Sequence, residues 1–186
     1  MSNILVNTIK DTGNNTLLSS DGSGSVTLGS GFPQNTPAFH ARLTNTQTGQ
    51  TDNTAIKVQI NSEVYDTDNC YDNSTNYRFT PTTAGKYYFY AQVMGSEQNF
   101  SNSVLNQMFV MIYKNGTKLA TSEFAFSNNY ARYVTPYVGS VIEMNGTTDY
   151  VECYAQADSS NNQPVRFNNN STQDLTFFGG YRIIGA

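Results

Sequence analysis

The chain has 186 residues, of which 38% are hydrophobic and only 13% charged, where a soluble domain ordinarily carries about 25% charged residues. A net charge of -4 and an isoelectric point near 4.8 exclude an electrostatic nucleic-acid binder, which needs a clustered basic stripe to displace counterions from phosphates. The length suits one domain with a real core plus a short appendage, and no window approaches the roughly 20 apolar residues of a membrane-spanning helix.

The opening, Met1 to Asn7, has neither the charged start nor the apolar run of a signal peptide. The expectation is therefore a chain made in a cytoplasm and released without secretion. Residues 1–35 stand apart. Ile4, Leu5, Val6 and Ile9 form one apolar cluster, Leu17 and Leu18 a second, and Val26 to Leu28 a third, separated by turns at Asp11 to Asn15 and Ser19 to Gly24. Each cluster predicts one short strand. So few apolar residues cannot offset their own ordering entropy in a lone chain. The segment is expected to be a stub that pairs with identical copies around a threefold axis or docks on a larger particle, through Ile4, Val6 and Ile9. A disordered tail is the plain alternative. Gly22, Gly24, Gly29 and Gly31 lack the strand-to-helix context of a phosphate cradle.

Residues 36–186 read as strands without helical periodicity. His40, the single histidine, follows Phe39 in the first of them. With no second histidine, no cysteine pair and no Gly-x-Ser-x-Gly elbow, neither a zinc site nor a serine triad can be built, and His40 is expected to be structural. Ile56, Val58 and Ile60 alternate with polar residues, predicting a half-buried strand. Glu63, Asp66, Asp68 and Asp72 cluster within ten residues. Their spacing matches neither the calcium loop nor a glycosidase signature, so solvated turns are expected, with calcium or sugar hydrolysis as the alternatives. Cys70 and Cys153 are too few for a disulfide framework and predict small buried hydrophobes. The sequons at Asn73, Asn99, Asn115 and Asn145 are what an Asn-, Ser- and Thr-rich chain produces by chance.

Further along, Val104 to Tyr113 is more uniformly apolar, predicting a strand covered on both sides, and Lys114-Asn115-Gly116 supplies a hairpin turn. Ala131 to Met144 predicts two strands broken near Pro136 and Gly139. Val151, Cys153, Ala155 and Ala157 alternate with Tyr150, Glu152, Tyr154 and Gln156. About eight to ten strands at this spacing specify a double-sheet β-sandwich. Tyrosine numbers 13 and phenylalanine 11, and Tyr88, Tyr90, Tyr150 and Tyr154 fall opposite the core-facing positions of their strands. Aromatics exposed on one flank predict an interface; tyrosines scattered for their β-propensity are the alternative.

In Phe79-Thr-Pro-Thr-Thr-Ala-Gly85-Lys-Tyr87-Tyr-Phe89, an aromatic residue, a turn closed by Pro81 and Gly85, and an aromatic strand follow one another. The last strand carries Phe178, Gly180, Tyr181 and Ile183. From Pro37 onward the chain resembles the globular head of complement component 1q, a trimeric jelly roll related to the tumour necrosis factor fold. In that family an aromatic residue precedes Gly by six positions, the strand continues Gly-x-Tyr-x-Phe, and the closing strand reads Phe-x-Gly-aromatic-x-aliphatic. This chain departs from the pattern at Tyr71, one residue too far upstream of Phe79, and at Ala91, where the family has an aromatic. The resemblance implies an all-β jelly-roll sandwich and a homotrimer with aromatic strands about its threefold axis.

The opening, Asn3 to Ile9 followed by Asp21 to Leu28, resembles the starts of virion structural proteins of tailed phages. Together the two likenesses imply a non-enzymatic, homotrimeric particle protein, made in the host cytoplasm and carried in the virion. Two jobs suit it: a capsid decoration or cement protein, or a fibre knob. Its partners would be itself, capsid or tail proteins, and host surface glycan, with no cofactor unless calcium is bound. The Asp66 to Asn76 loop and the Ser159 to Gln173 segment are the candidate contact regions. A glycan-degrading tail enzyme and a secreted ligand-binding module of the complement type are the alternatives.

Overall fold

The computed structural model describes residues 6–29, 32, 34–99, 102–169 and 173–185. Ile4 lies outside them. The chain forms two compact units, Met1–Gln34 and Asn35–Ala186.

The first unit holds one antiparallel sheet of β1 (Thr8–Lys10), β2 (Thr16–Ser20) and β3 (Val26–Leu28), with β2 in the middle. Its turns are made locally by short polar side chains. Asp11 accepts the Asn15 backbone N–H at 2.9 Å, and Asp21 accepts that of Ser23 at 2.8 Å. Ile9, Leu18 and Leu28 are registered in one row across the sheet, with Val26 opposite Ser20. Val6, Ile9, Val26 and Leu28 are exposed. With Ile9 and Leu28 exposed at the two ends of that row, so short a sheet buries little apolar surface to offset its ordering entropy.

In the second unit the strands are β4 (Ala38–Arg42), β5 (Gln47–Gln50), β6 (Ile56–Lys57), β7 (Ser62–Asp66), β8 (Tyr71–Asp72) and β9 (Arg78–Phe79). They continue as β10 (Gly85–Gln92), β11 (Met94–Glu97), β12 (Leu105–Lys114), β13 (Thr117–Ala125) and β14 (Tyr133–Val134). The last four are β15 (Tyr137–Met144), β16 (Val151–Ser159), β17 (Val165–Asn168) and β18 (Phe177–Arg182). Among the described residues there is no helix, and so none that could cross a membrane.

One sheet has the order β15-β10-β18-β4-β7, and the other runs β13-β12-β16-β9-β8 with β6 also paired to β16. A third, β14-β11-β17-β5, extends the first: each of its strands is the chain neighbour of a strand in the first sheet, in the same order. All pairings are antiparallel. One hydrophobic core lies between the layers.

Phe39, Tyr71, Phe79, Tyr87, Phe89 and Phe178 form its aromatic centre. Phe39 stacks on Phe79 at 4.4 Å and on Tyr71 at 4.8 Å, and meets Phe178 edge-on at 5.0 Å. Offset and edge contacts of this kind suit the ring quadrupoles. The buried phenols are satisfied, Tyr71 donating to the Ile60 carbonyl at 2.8 Å and Tyr87 to that of Thr83 at 2.7 Å. Burial pushes Tyr87 up to about 12. The residues of the family pattern thus have physical roles. Gly85 adopts φ 147°, a backbone that suits glycine, and a Cβ at Gly180 would stand 2.5 Å from the Phe89 ring. Tyr71, despite its extra spacing, still reaches the core, because the loop before Phe79 closes through a turn on Asp72 and a left-handed Tyr77 (φ 50°).

Several predicted elements changed. The Ile56 to Ile60 strand stops at Lys57: the Gln59 N–H goes to the Gln47 side chain and that of Ile60 folds back to the Val58 carbonyl, although Val58 and Ile60 stay fully buried. The break before Met144 falls at residues 135–136, and β15 runs straight through Gly139. The hairpin forms at Asn115 (φ 50°) and Gly116 (φ 78°). Both cysteines are buried and free.

On the outer side of β16, Glu152 is buried and takes a 2.6 Å bond from Lys57, which also donates to the Asn76 carbonyl. Lys57→Met is expected to cost about 2 kcal/mol, because it strands a buried carboxylate while its lysine end is already partly hydrated. Adding Glu152→Gln should recover most of the loss. Urea unfolding of the single and double variants checks this.

Candidate self-association face

The outward side of the β15-β10-β18-β4-β7 sheet is paved with aromatic rings. Alternation along β10 sends Tyr87, Phe89 and Ala91 inward and Tyr88 and Tyr90 outward. Register then assembles rows across the strands. Val141, Tyr88, Tyr181 and Ala38 form one; Gly139, Tyr90, Gly179, His40 and Tyr65 the next; Tyr137, Gln92, Phe177 and Arg42 the third.

The two glycines are what make the face flat. A Cβ at Gly139 would stand 2.3 Å from the Tyr88 hydroxyl, and one at Gly179 would stand 2.4 Å from the Tyr90 ring. Both tyrosines therefore lie down over glycine backbone instead of standing into solvent. Ring centroids follow at 5.8 Å for Tyr88 and Tyr181, 6.1 Å for Tyr88 and Tyr90, and 6.2 Å for Tyr90 and Phe177. The hydroxyls of Tyr88 and Tyr137 share a hydrogen bond of 3.2 Å, and His40 Nδ1 lies 3.1 Å from the Tyr90 hydroxyl. Burial pushes Tyr137 up to about 12, with the Tyr88 hydrogen bond adding to it, and burial also raises Tyr90.

Much of this surface nonetheless faces solvent in the single chain: Val141 is 56% exposed, Tyr137 47%, Tyr65 45% and Tyr181 37%. Charge is confined to its margins, where Lys86 is registered with Glu143 at one end and Arg42 meets Asp174 at 3.4 Å at the other. An aromatic centre with a charged rim is the anatomy of a protein interface.

The four tyrosines singled out from the sequence divide between two sheets. Tyr88 and Tyr90 belong to this face, but Tyr150 and Tyr154 lie on or beside β16 in the opposite sheet, with partners inside the chain. Tyr154 stacks on Tyr113 at 4.2 Å, and the Arg78 guanidinium lies 4.5 Å from the Tyr150 ring centre. Tyr65, Tyr137, Val141, Phe177, His40 and the two glycines join Tyr88 and Tyr90 only through strand register, which a single sequence does not display. Of the residues expected to attach the stub, Val6 and Ile9 are exposed in the first unit.

The carboxylate cluster is engaged in turns. Asp66 accepts the Tyr71 N–H at 2.7 Å, and Asp72 accepts those of Ser74, Thr75 and Asn76 at 2.9 to 3.1 Å. These backbone bonds, that of Thr75 foremost, hold Asp72 well below the usual carboxylate range, while burial, with Asp66 nearby, raises Glu63. Among the described residues no three His, Cys, Asp or Glu side chains stand where they could hold a metal ion.

No family model matches the sequence, and neither does any curated protein. Solved structures do. Murine APRIL superposes with a TM-score of 0.54 at 14% identity, over 78% of this chain and 98% of its own. The globular domain of zebrafish complement 1qA gives 0.51 at 15% identity, over 79% and 97%. The fold is the tumour necrosis factor and complement 1q jelly roll.

Proposed function

We propose that the chain is a non-enzymatic, homotrimeric structural protein of a bacteriophage particle, its jelly-roll unit projecting as a knob and its N-terminal sheet serving for attachment. The observation that carries the trimer is the aromatic face built on Tyr88, Tyr90, Tyr137, Phe177 and Tyr181, a continuous apolar surface on one side of one sheet. Left in water, such a patch is a liability, and covering it with copies of the same chain removes it. The likeness of the opening segment to phage virion proteins supports the particle assignment, and the exposed Val6, Ile9, Val26 and Leu28 give the attachment unit something to bury.

Two placements fit this plan. A decoration or cement protein would clamp capsid subunits at threefold positions. A fibre knob would hold host surface glycan through loops, its weak single contacts multiplied by three copies. Gold-labelled antibody on purified particles tests the reading: label on the virion, at the capsid or at the tail, is expected. Particles without label, together with the chain in host secretions, would favour instead a complement-type ligand-binding module, the second reading that the fold likeness supports.

A further inference from the structure

We propose that His40 is a proton-controlled latch of the aromatic face: copies of the chain stay joined while its imidazole is neutral and separate when it takes up a proton. The inference rests on the reading that this face joins copies of the chain, and it assigns that face a regulator.

His40 is the only histidine in the sequence, and it sits inside the face, in the row between Gly179 and Tyr65. Aromatic rings surround it. Phe177 of β18 lies 5.4 Å away, Tyr90 of β10 5.9 Å and Tyr65 of β7 6.3 Å. Formal charge near it comes from Arg42 on its own strand and from Asp174 before β18, and these two pair with each other at 3.4 Å. The acidic residues of β7 are registered elsewhere, Glu63 with Ala41 and Asp66 with Phe39. No carboxylate is thus dedicated to an imidazolium at this position.

Burial already holds the imidazole below its ordinary 6.5; Asp174 pulls it up and Arg42 down. A second copy seated on the face would remove the remaining water and lower it further. In the neutral ring, Nδ1 can accept the Tyr90 O–H at 3.1 Å. In the charged ring both nitrogens donate, so Tyr90 must accept and redirect its own proton. Attraction between the cation and the flanking rings recovers only part of what is lost with the water.

The direction of the pH effect follows from linkage. The separated chains bind more protons than the assembled ones, so association is at full strength above the separated chain's imidazole pKa, itself already below the ordinary 6.5, and falls as the pH drops through that value. The fall approaches about tenfold per chain for each pH unit, and three chains act together.

Sedimentation equilibrium at one micromolar concentration, near pH 7.5 and near pH 5, tests this on the full chain and on His40→Phe and His40→Gln, with circular dichroism to confirm folding. The full chain should have the mass of three copies near pH 7.5 and of one near pH 5, while both variants keep three at each pH. Full chain and variants dissociating together near pH 5, or a full chain that remains three copies there, would overturn the latch and leave the trimer standing. A single-copy mass near pH 7.5 would remove the assembly reading itself, and the latch with it.

Discussion

Changing Tyr88 and Tyr181 to glutamate is expected to turn the proposed trimer into single chains. The two rings lie 5.8 Å apart on the aromatic face, with no cation in their row. Buried carboxylates there would each lose their hydration without gaining a partner. Removing an aromatic anchor from the centre of an interface typically costs about 2 kcal/mol or more. The concentration at half assembly should therefore rise by at least about a hundredfold for the pair. Both side chains project away from the core, so the fold itself should survive. Tyr150→Glu provides the control, since that ring lies on the opposite sheet beneath Arg78. Light scattering across a dilution series distinguishes the cases. Equal masses for the Tyr88, Tyr181 double variant and the unaltered chain would mean that copies meet elsewhere.

Phe39→Ala is expected to remove about 3–5 kcal/mol of stability, the range for deleting a buried aromatic ring. Phe39 is fully buried and contacts Tyr71, Phe79 and Phe178 at 4.4 to 5.0 Å, so its loss opens a cavity touching both layers. Phe124, nearly half exposed on the edge strand β13, should tolerate the same change within about 0.5 kcal/mol. Urea denaturation at fixed protein concentration measures both, because assembly adds to apparent stability. Similar small losses at the two positions would contradict the aromatic core.

These positions mark how far the sequence could be read. Phe79, Gly85, Tyr87, Phe89, Phe178 and Gly180 announced the jelly roll because their spacing resembles a family pattern; the inward alternation of Tyr87 and Phe89 is local, whereas Gly180 lies beneath the Phe89 ring only because β10 and β18 pair. The hairpin at Asn115 and Gly116 was legible from turn chemistry alone, since both residues adopt positive φ there. The aromatic face was only half legible. Alternation along β10 placed Tyr88 and Tyr90 outward, but which strands flank β10 depends on pairings between residues such as Tyr90, Gly179 and His40, far apart in the chain. The same limit put Tyr150 and Tyr154 in one group with Tyr88 and Tyr90. Ile56 to Ile60 misled differently, since the alternation there was genuine. Side-chain bonds from Gln47 and a local backbone turn replaced the ladder while the apolar residues stayed buried. His40 was expected to be structural, and its place among exposed rings could not be seen without the sheet.

The mass of the protein in solution decides whether copies of the chain join. Sedimentation equilibrium of the full chain at neutral pH and micromolar concentration is predicted to give three chains of 20.5 kDa each. One chain, folded and stable as the concentration is raised, would contradict it.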